Sequence, residues 1–170
     1  HTRSGWGPNI SSRLGWLIME TPSPVILGYF FLCGGDFTDP AKWTFFGLWF
    51  VHYTNRAWVY PFRAKMTGKT MPLVIALMAV GFNGVNAGIN GVHLFNHPVS
   101  YGYEWLSDPR YIIGVLLFLV GMFINMQSDS ILRNLRSESE TGYKIPYGGA
   151  YRWVSCPNYL GEIMEWVGFA

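Results

Sequence analysis

YIIGVLLFLVGMFINM, Tyr111 to Met126, contains no charged side chain and one amide, Asn125. Its reading decides the fold. A helix needs roughly 20 residues to cross a bilayer, and this run reaches that length if it continues past Asp129 into the interface. The rest of the chain repeats the pattern. Half the residues are hydrophobic, 18% are aromatic and only 13% are charged, against about 25% charged in ordinary soluble domains. The charges sit in short clusters between apolar runs, so the expected class is an all-α, polytopic integral membrane helical bundle. A formal net charge of +2 with no basic-aromatic patch argues against nucleic-acid binding. Cys33 and Cys156 are too few for a disulfide framework or a metal site, so no metal is expected.

Working outward, a first apolar segment runs from about Leu14 to Cys33 and is interrupted by Thr21-Pro22-Ser23-Pro24. A second runs from about Trp43 to Phe62, and a third, rich in Gly and Asn, from about Met71 to Phe95. A further one begins near Asn158. The expectation is therefore about four complete spans and the start of a fifth, in one membrane domain covering 1–170. Basic residues mark the cytoplasmic side. Arg3 and Arg13, then Arg63, Lys65 and Lys69, then Arg133, Arg136, Lys144 and Arg152 alternate with loops holding Asp36, Asp39 and Lys42, and Glu104, Asp108 and Arg110. That alternation places 1–13, 63–70 and 127–157 in the cytoplasm, where the Asn9-Ile10-Ser11 sequon escapes glycosylation. His1 opens a polar segment and no signal peptide is present; the start reads like the middle of a longer protein.

Ionisable and amide groups inside apolar segments point to function by default. Glu20 reads either as a loop residue between two half-helices or as a carboxyl held in an apolar pocket to donate a hydrogen bond. Tyr53, Arg56 and Tyr60 share a helical face at i, i+3, i+7, with His52 adjacent. Tyr60 suits an aromatic belt; Tyr53, one turn from an arginine, suits it less. Asn83, Asn86 and Asn90 lie among Gly81, Gly84, Gly88 and Gly91, which favours close helix packing through small residues with amide hydrogen bonds between helices, with one Asn facing a cavity as the other reading. Asn125, Asp129, Arg133 and Arg136 form a polar stripe leaving the membrane. A salt-bridged helix end explains it, and so does a nucleotide site in which arginines meet phosphates. Asn158, Glu162 and Glu165 or Trp166 share a face of the last helix. No G-x-G-x-x-G or P-loop occurs, so a nucleotide site here is of neither the Rossmann nor the Walker type.

The runs GMFINMQSDSILRNLR (Gly121–Arg136) and TGYKIPYGGAYRWVSCPNYLGEIMEWVGFA (Thr141–Ala170) closely resemble the C-terminal region of steroid 5α-reductases. METPSP (Met19–Pro24) and FVHYTNRAWVYPF (Phe50–Phe62) resemble the same family's second and third membrane helices, so the likeness covers nearly the whole chain. It implies a seven-helix fold in the endoplasmic reticulum, or in the bacterial inner membrane. It implies NADPH-dependent reduction of the Δ4 double bond of 3-oxo-Δ4 steroids, by a monomer whose cofactor site faces the cytoplasm. Glu20 and Tyr53 match the pair that hydrogen-bonds the steroid 3-ketone. Asn125, Asp129, Arg136, Tyr143, Asn158, Glu162 and Trp166 match NADPH-contacting positions, Arg136 as phosphate ligand, Asn158 and Glu162 on the nicotinamide carboxamide. Arg56 is a weaker candidate, supporting Tyr53, and Glu165 has no role assigned. Arg63, Lys65 and Lys69 stand where the family holds the adenosine phosphate, with none singled out. The family's first helix, the rest of its sixth, its seventh and its tail have no counterpart, so the chain is expected to be truncated at both ends, with the reductase region at about 110–170. Rival readings are a related membrane enone or enoyl reductase acting on polyprenols, enoyl thioesters or sterols, and a non-catalytic sterol-binding protein. A transporter would show internal repeats, and a methyltransferase needs no ketone-polarising pair.

Overall fold

The computed structural model describes residues 6–96, 100–135 and 144–170. Among them, three helical stretches are long and apolar enough to cross a membrane: Ser12–Gly34, Leu73–Asn96 and Pro109–Asn134, of 23, 24 and 26 residues. At 1.5 Å per residue each exceeds a hydrocarbon core of about 30 Å. These are the expected first, third and fourth segments. The expected second is continuously helical from Pro40 to Arg63 but is not among the three; His52, Asn55, Arg56 and Arg63 interrupt its apolar run. The contacts gather into two compact units, His1–Tyr103 and Glu104–Ala170.

The first unit opens with strand β1 (Asn9–Ser11) and helix α1 (Ser12–Glu20), whose N-cap Ser11 accepts from the Leu14 N–H. Helix α2 (Pro22–Gly34) follows after Thr21 alone. Thr21 keeps helical dihedrals, and its N–H still reaches the Leu17 carbonyl at 3.2 Å. Pro22 and Pro24 lack the N–H groups that would continue the ladder, so the helix is interrupted without becoming a loop. Glu20 therefore ends a helix, which removes its reading as a loop residue.

Helix α3 (Pro40–Tyr53) is capped by Asp39 and passes into a π-helical stretch, Thr54–Val59, then α4 (Tyr60–Arg63). Pro61 explains the widened turn. It cannot donate to the Ala57 carbonyl and its ring would press on that group; the i→i+5 pattern, with Tyr60 N–H on the Asn55 carbonyl, relieves both. Strand β2 (Thr70–Pro72) pairs antiparallel with β1, Ile10 opposite Met71. This three-residue ribbon, which the sequence reading did not anticipate, joins two of the segments that charge assigns to one side. Helix α5 (Leu73–Gly91) continues into the π-helical Val92–Asn96.

At the other end of the unit the Asp39 carboxylate is a latch. Its Oδ1 accepts from Ala41 N–H (2.9 Å) and Lys42 N–H (3.4 Å), its Oδ2 from Tyr101 N–H (2.8 Å) and Gly102 N–H (3.2 Å). Burial pushes this carboxyl up, but the four donors outweigh burial and hold it below the usual carboxylate range. The core is aromatic: Phe31 stacks on Phe46 at 4.3 Å and meets Trp43 and Phe95 edge-on. On α5 the small and polar Ala76, Asn83 and Ala87 are buried, while Leu77, Met78, Phe82, Val85 and Ile89 are exposed. Large apolar groups outside and small groups inside is the arrangement that lipid favours.

The second unit holds α6 (Gly102–Trp105), which straddles its boundary, α7 (Pro109–Asn134), a 3₁₀ turn (Gly149–Arg152) and α8 (Pro157–Phe169). Asp108 and Pro109 start α7, and Pro157 starts α8. The two long helices meet through a glycine seam. A Cβ on Gly121 would lie 2.5 Å from the Gly161 carbonyl, one on Gly161 2.5 Å from the Gly121 carbonyl, and one on Gly114 2.5 Å from the Gly168 carbonyl. Small residues line the buried face of α5, as expected of the third segment, and a backbone-to-backbone approach occurs here as well. Of Gly81, Gly84, Gly88 and Gly91, only Gly91 is crowded, against Phe30.

Candidate active site

In the first unit, Glu20 at the end of α1, Tyr53 at the end of α3 and Asn83 in the middle of α5 converge. The Tyr53 hydroxyl donates to Asn83 Oδ1 at 3.2 Å. Asn83 Nδ2 donates to the Met19 carbonyl at 2.6 Å and to Glu20 Oε2 at 3.3 Å. Tyr53 is 4% exposed and Asn83 5%; Glu20 is half-buried. The sequence reading joined Glu20 and Tyr53 by family likeness alone. The third member, Asn83, reads from the sequence as an amide bonding between packed helices, and its bonds to α1 and α3 agree.

The surroundings hold Tyr53 firmly. Trp49 lies against its ring at 5.3 Å, and the buried His52 meets it edge-on at 4.9 Å. Trp49 Nε1 donates to Ser23 Oγ at 3.1 Å, and Ser23 and Asn86 both lie beside the Tyr53 hydroxyl. Ser23 comes from the Pro-broken stretch, which explains its value: the interrupted ladder sets a small hydroxyl beside the tyrosine. Arg56 lies over the Trp16 ring at 4.7 Å and the Tyr60 ring at 5.3 Å, a cation–π clasp. Chemically the cluster offers a carboxyl and a phenol, which can both donate hydrogen bonds to one carbonyl oxygen in a largely apolar setting.

In the second unit Asn125 is 2% exposed. Its Nδ2 donates to the Asn158 carbonyl at 3.0 Å and to Glu162 Oε1 at 3.3 Å. The structure thus brings Asn125, Asn158 and Glu162 together, positions 33 and 37 residues apart in the chain. Asp129, one turn beyond Asn125 on α7, is also buried, and Trp166, one turn beyond Glu162, is half-buried and edge-on to Phe169. Arg136 and Tyr143 lie outside the described residues. Glu165 is buried beside the glycine seam, its N–H 2.8 Å from where a Gly121 Cβ would stand.

Tyr151, which the sequence reading passed over, closes this wall from the 3₁₀ turn, its hydroxyl 3.4 Å from the Ser128 carbonyl. Burial first, then the Asp129 carboxylate and Cys156, push the Tyr151 phenol up to about 12, so it stays a neutral donor. Amides, carboxylates and a phenol together can hydrogen-bond a carboxamide and ribose hydroxyls, and Arg133 continues the stripe. This donor set fits the neutral half of a nicotinamide dinucleotide. No group of three or more His, Cys, Asp or Glu side chains able to hold a metal occurs among the described residues.

Comparison with known proteins gives one consistent answer. A family profile described as 3-oxo-5-alpha-steroid 4-dehydrogenase matches residues 69–170. The protein named Steroid 5-alpha-reductase DET2 of Gossypium hirsutum is 40% identical over 173 residues, covering 100% of this chain and 67% of its own length. The protein named 3-oxo-5-alpha-steroid 4-dehydrogenase 1 is 38% identical over 172 residues in Macaca fascicularis, covering 100% of this chain and 65% of that one. Its Homo sapiens counterpart is 39% identical over 163 residues, covering 95% and 62%. The chain spans about two thirds of the length of these relatives.

Proposed function

This chain belongs to the 3-oxo-5-alpha-steroid 4-dehydrogenase family, and we propose that it reduces the 4,5 double bond of 3-oxo-Δ4 steroids to 5α-3-oxo steroids with NADPH. The observation that carries the reading is the convergence of Glu20 and Tyr53 on one buried amide, Asn83. Two hydrogen-bond donors aimed at the C3 oxygen withdraw electron density from the enone and make C5 electrophilic. The nicotinamide cofactor, when bound, supplies the hydride that C5 accepts. A proton at C4 then completes the reduction, so one hydride and one proton saturate the double bond. Glu20 and Tyr53 hold the enolate oxygen that develops, as donors in an oxyanion hole do; removing one such donor typically costs about 3 kcal/mol.

Cofactor contacts are assigned to Asn125, Asp129, Arg136, Tyr143, Asn158, Glu162 and Trp166. Asn158 and Glu162 orient the carboxamide, and Arg136 meets phosphate. The charge alternation puts these residues on the cytoplasmic side of an endoplasmic reticulum or bacterial inner membrane. The test is NADPH oxidation by the full-length protein in detergent, with and without a 3-oxo-Δ4 steroid. Steroid-dependent turnover is expected, and it should collapse in Glu20→Gln and Tyr53→Phe. Wild-type turnover in both variants overturns the assignment. Oxidation driven by an enoyl thioester or a polyprenal-type enone but not by the steroid would replace the substrate class.

A further inference from the structure

We propose that Asn83 is the positioning residue that sets the geometry of the ketone-binding pair, an inference that rests on the assignment of Glu20 and Tyr53 above. The orientation of its amide is dictated by its neighbours. The Met19 carbonyl, 2.6 Å away, can only accept, so Nδ2 must face it. Oδ1 then faces the Tyr53 hydroxyl, and the remaining Nδ2 proton faces Glu20 Oε2. The oxygen end of the amide is matched to Tyr53 and the nitrogen end to Met19 and Glu20, and the backbone of α1 anchors the whole unit.

Two consequences follow from this polarity. Asn83 holds Glu20 Oε2 as an acceptor, which ties the carboxyl to α5 at a set distance from the Tyr53 hydroxyl. The Tyr53 hydroxyl has a single proton, which it gives to Asn83. On ketone binding that proton turns to the substrate, while Ser23, itself receiving the Trp49 N–H, stays beside the phenol oxygen. Asn83 is therefore both a spacer between the donors and a competitor for one of them. Its buried place on α5 suits this: the neighbouring Ala76 and Ala87 supply only methyl groups to the same face.

Removing the amide should separate rate from binding. In Asn83→Ala the competitor for the Tyr53 proton is gone, so KM for the steroid should stay within about twofold of wild type or fall. The two donors are no longer held apart at a set spacing, so kcat should drop on the order of 10²-fold, the scale of a displacement of about 1 Å. Tyr53→Phe should cost far less in the Asn83→Ala background than alone. Asn90→Ala, on the same helix and hydrogen-bonded to Asn86 within it, is the control and should keep wild-type kcat. If Asn83→Ala does not fold, Asn83→Asp, isosteric and lacking only the Nδ2 donors, takes its place with the same expected fall in kcat.

The experiment is steady-state steroid reduction by the full-length protein in detergent, comparing kcat and KM across these variants. Wild-type kcat in Asn83→Ala, or additive losses with Tyr53→Phe, overturns the role of Asn83 while leaving Glu20 and Tyr53 in place. A rise in KM at unchanged kcat overturns it too, since that is simple loss of binding. If Glu20→Gln and Tyr53→Phe themselves keep full turnover, it is the underlying assignment that fails.

Discussion

The single residues that matter most are polar groups buried where water cannot compensate them. In the proposed reaction the buried Tyr53 and the half-buried Glu20 would gain their chemistry from that setting, because a donor in an apolar site acts on a carbonyl far more strongly than in water. Tyr53→Phe removes one O–H and nothing else. Steroid turnover should fall about 10²- to 10³-fold, and stability in detergent by about 1–3 kcal/mol, since the buried Asn83 Oδ1 loses its donor. Asp39 shows the opposite use of a buried carboxylate. Its four backbone donors outweigh the rise that burial causes and keep its folded-state value below the ordinary one. A depressed carboxylate stabilises the fold above its unfolded value, near pH 4, and that contribution fades as pH falls through the lower folded value. Thermal stability should therefore drop on acidification below about pH 4. Asp39→Asn should lower stability at neutral pH by about 1–2 kcal/mol and flatten that acid slope. An unchanged slope would mean that the latch does not govern acid stability.

At the scale of elements, two irregularities position the chemistry. The Pro22/Pro24 interruption puts Ser23 beside Tyr53, and the π-helical stretch begins directly after Tyr53, so both helices deviate where the donors sit. Such deviations are common at functional sites. The α7–α8 pair depends instead on regularity. Gly114 and Gly121 face Gly168 and Gly161 with backbones in contact, a seven-residue spacing on both helices. A methyl group there meets carbonyl oxygen and not a movable side chain. Gly121→Ala and Gly161→Ala should each destabilise by about 1–3 kcal/mol or more and weaken nucleotide binding, because Asn125 and Glu162 are spaced by the same contact. Gly88→Ala, with open space around it, should be neutral or stabilise by a few tenths of a kcal/mol to about 1 kcal/mol. Equal effects at Gly88 and Gly121, read by thermal unfolding in detergent, would sink the seam.

For the whole molecule, the charge alternation makes a claim that labelling can check. Cys33 and Cys156 are both exposed free thiols. They lie in segments assigned to opposite sides of the membrane. A membrane-impermeant maleimide applied to sealed vesicles should reach Cys156 only from the cytoplasmic side and Cys33 only from the other. Labelling of both from one side would refute the topology. The paired loops are in keeping with it: β1 and β2 join two segments assigned to one side, and Asp39 ties two assigned to the other.

Much of this was legible without coordinates. Long apolar runs and clustered charges are local properties of the chain, and the bilayer converts them directly into spans and sides. The stripe Asn125–Asp129 and the face Asn158–Glu162 were legible for the same reason, since each lies on one helix. Asn83 was legible as an amide bonding between helices, but its three partners were not, because they come from α1 and α3, as far as 64 residues away in the chain. Nor was the glycine seam: Gly-rich sequence in the third segment drew the packing argument there, while the close approach needed glycines on two facing helices at once. Apolar run length along the chain was enough to show three of the spans, and periodicity which residues share a face. Only the tertiary structure decided which faces meet, because hydrogen bonds and backbone contacts between helices depend on geometry that no single segment contains.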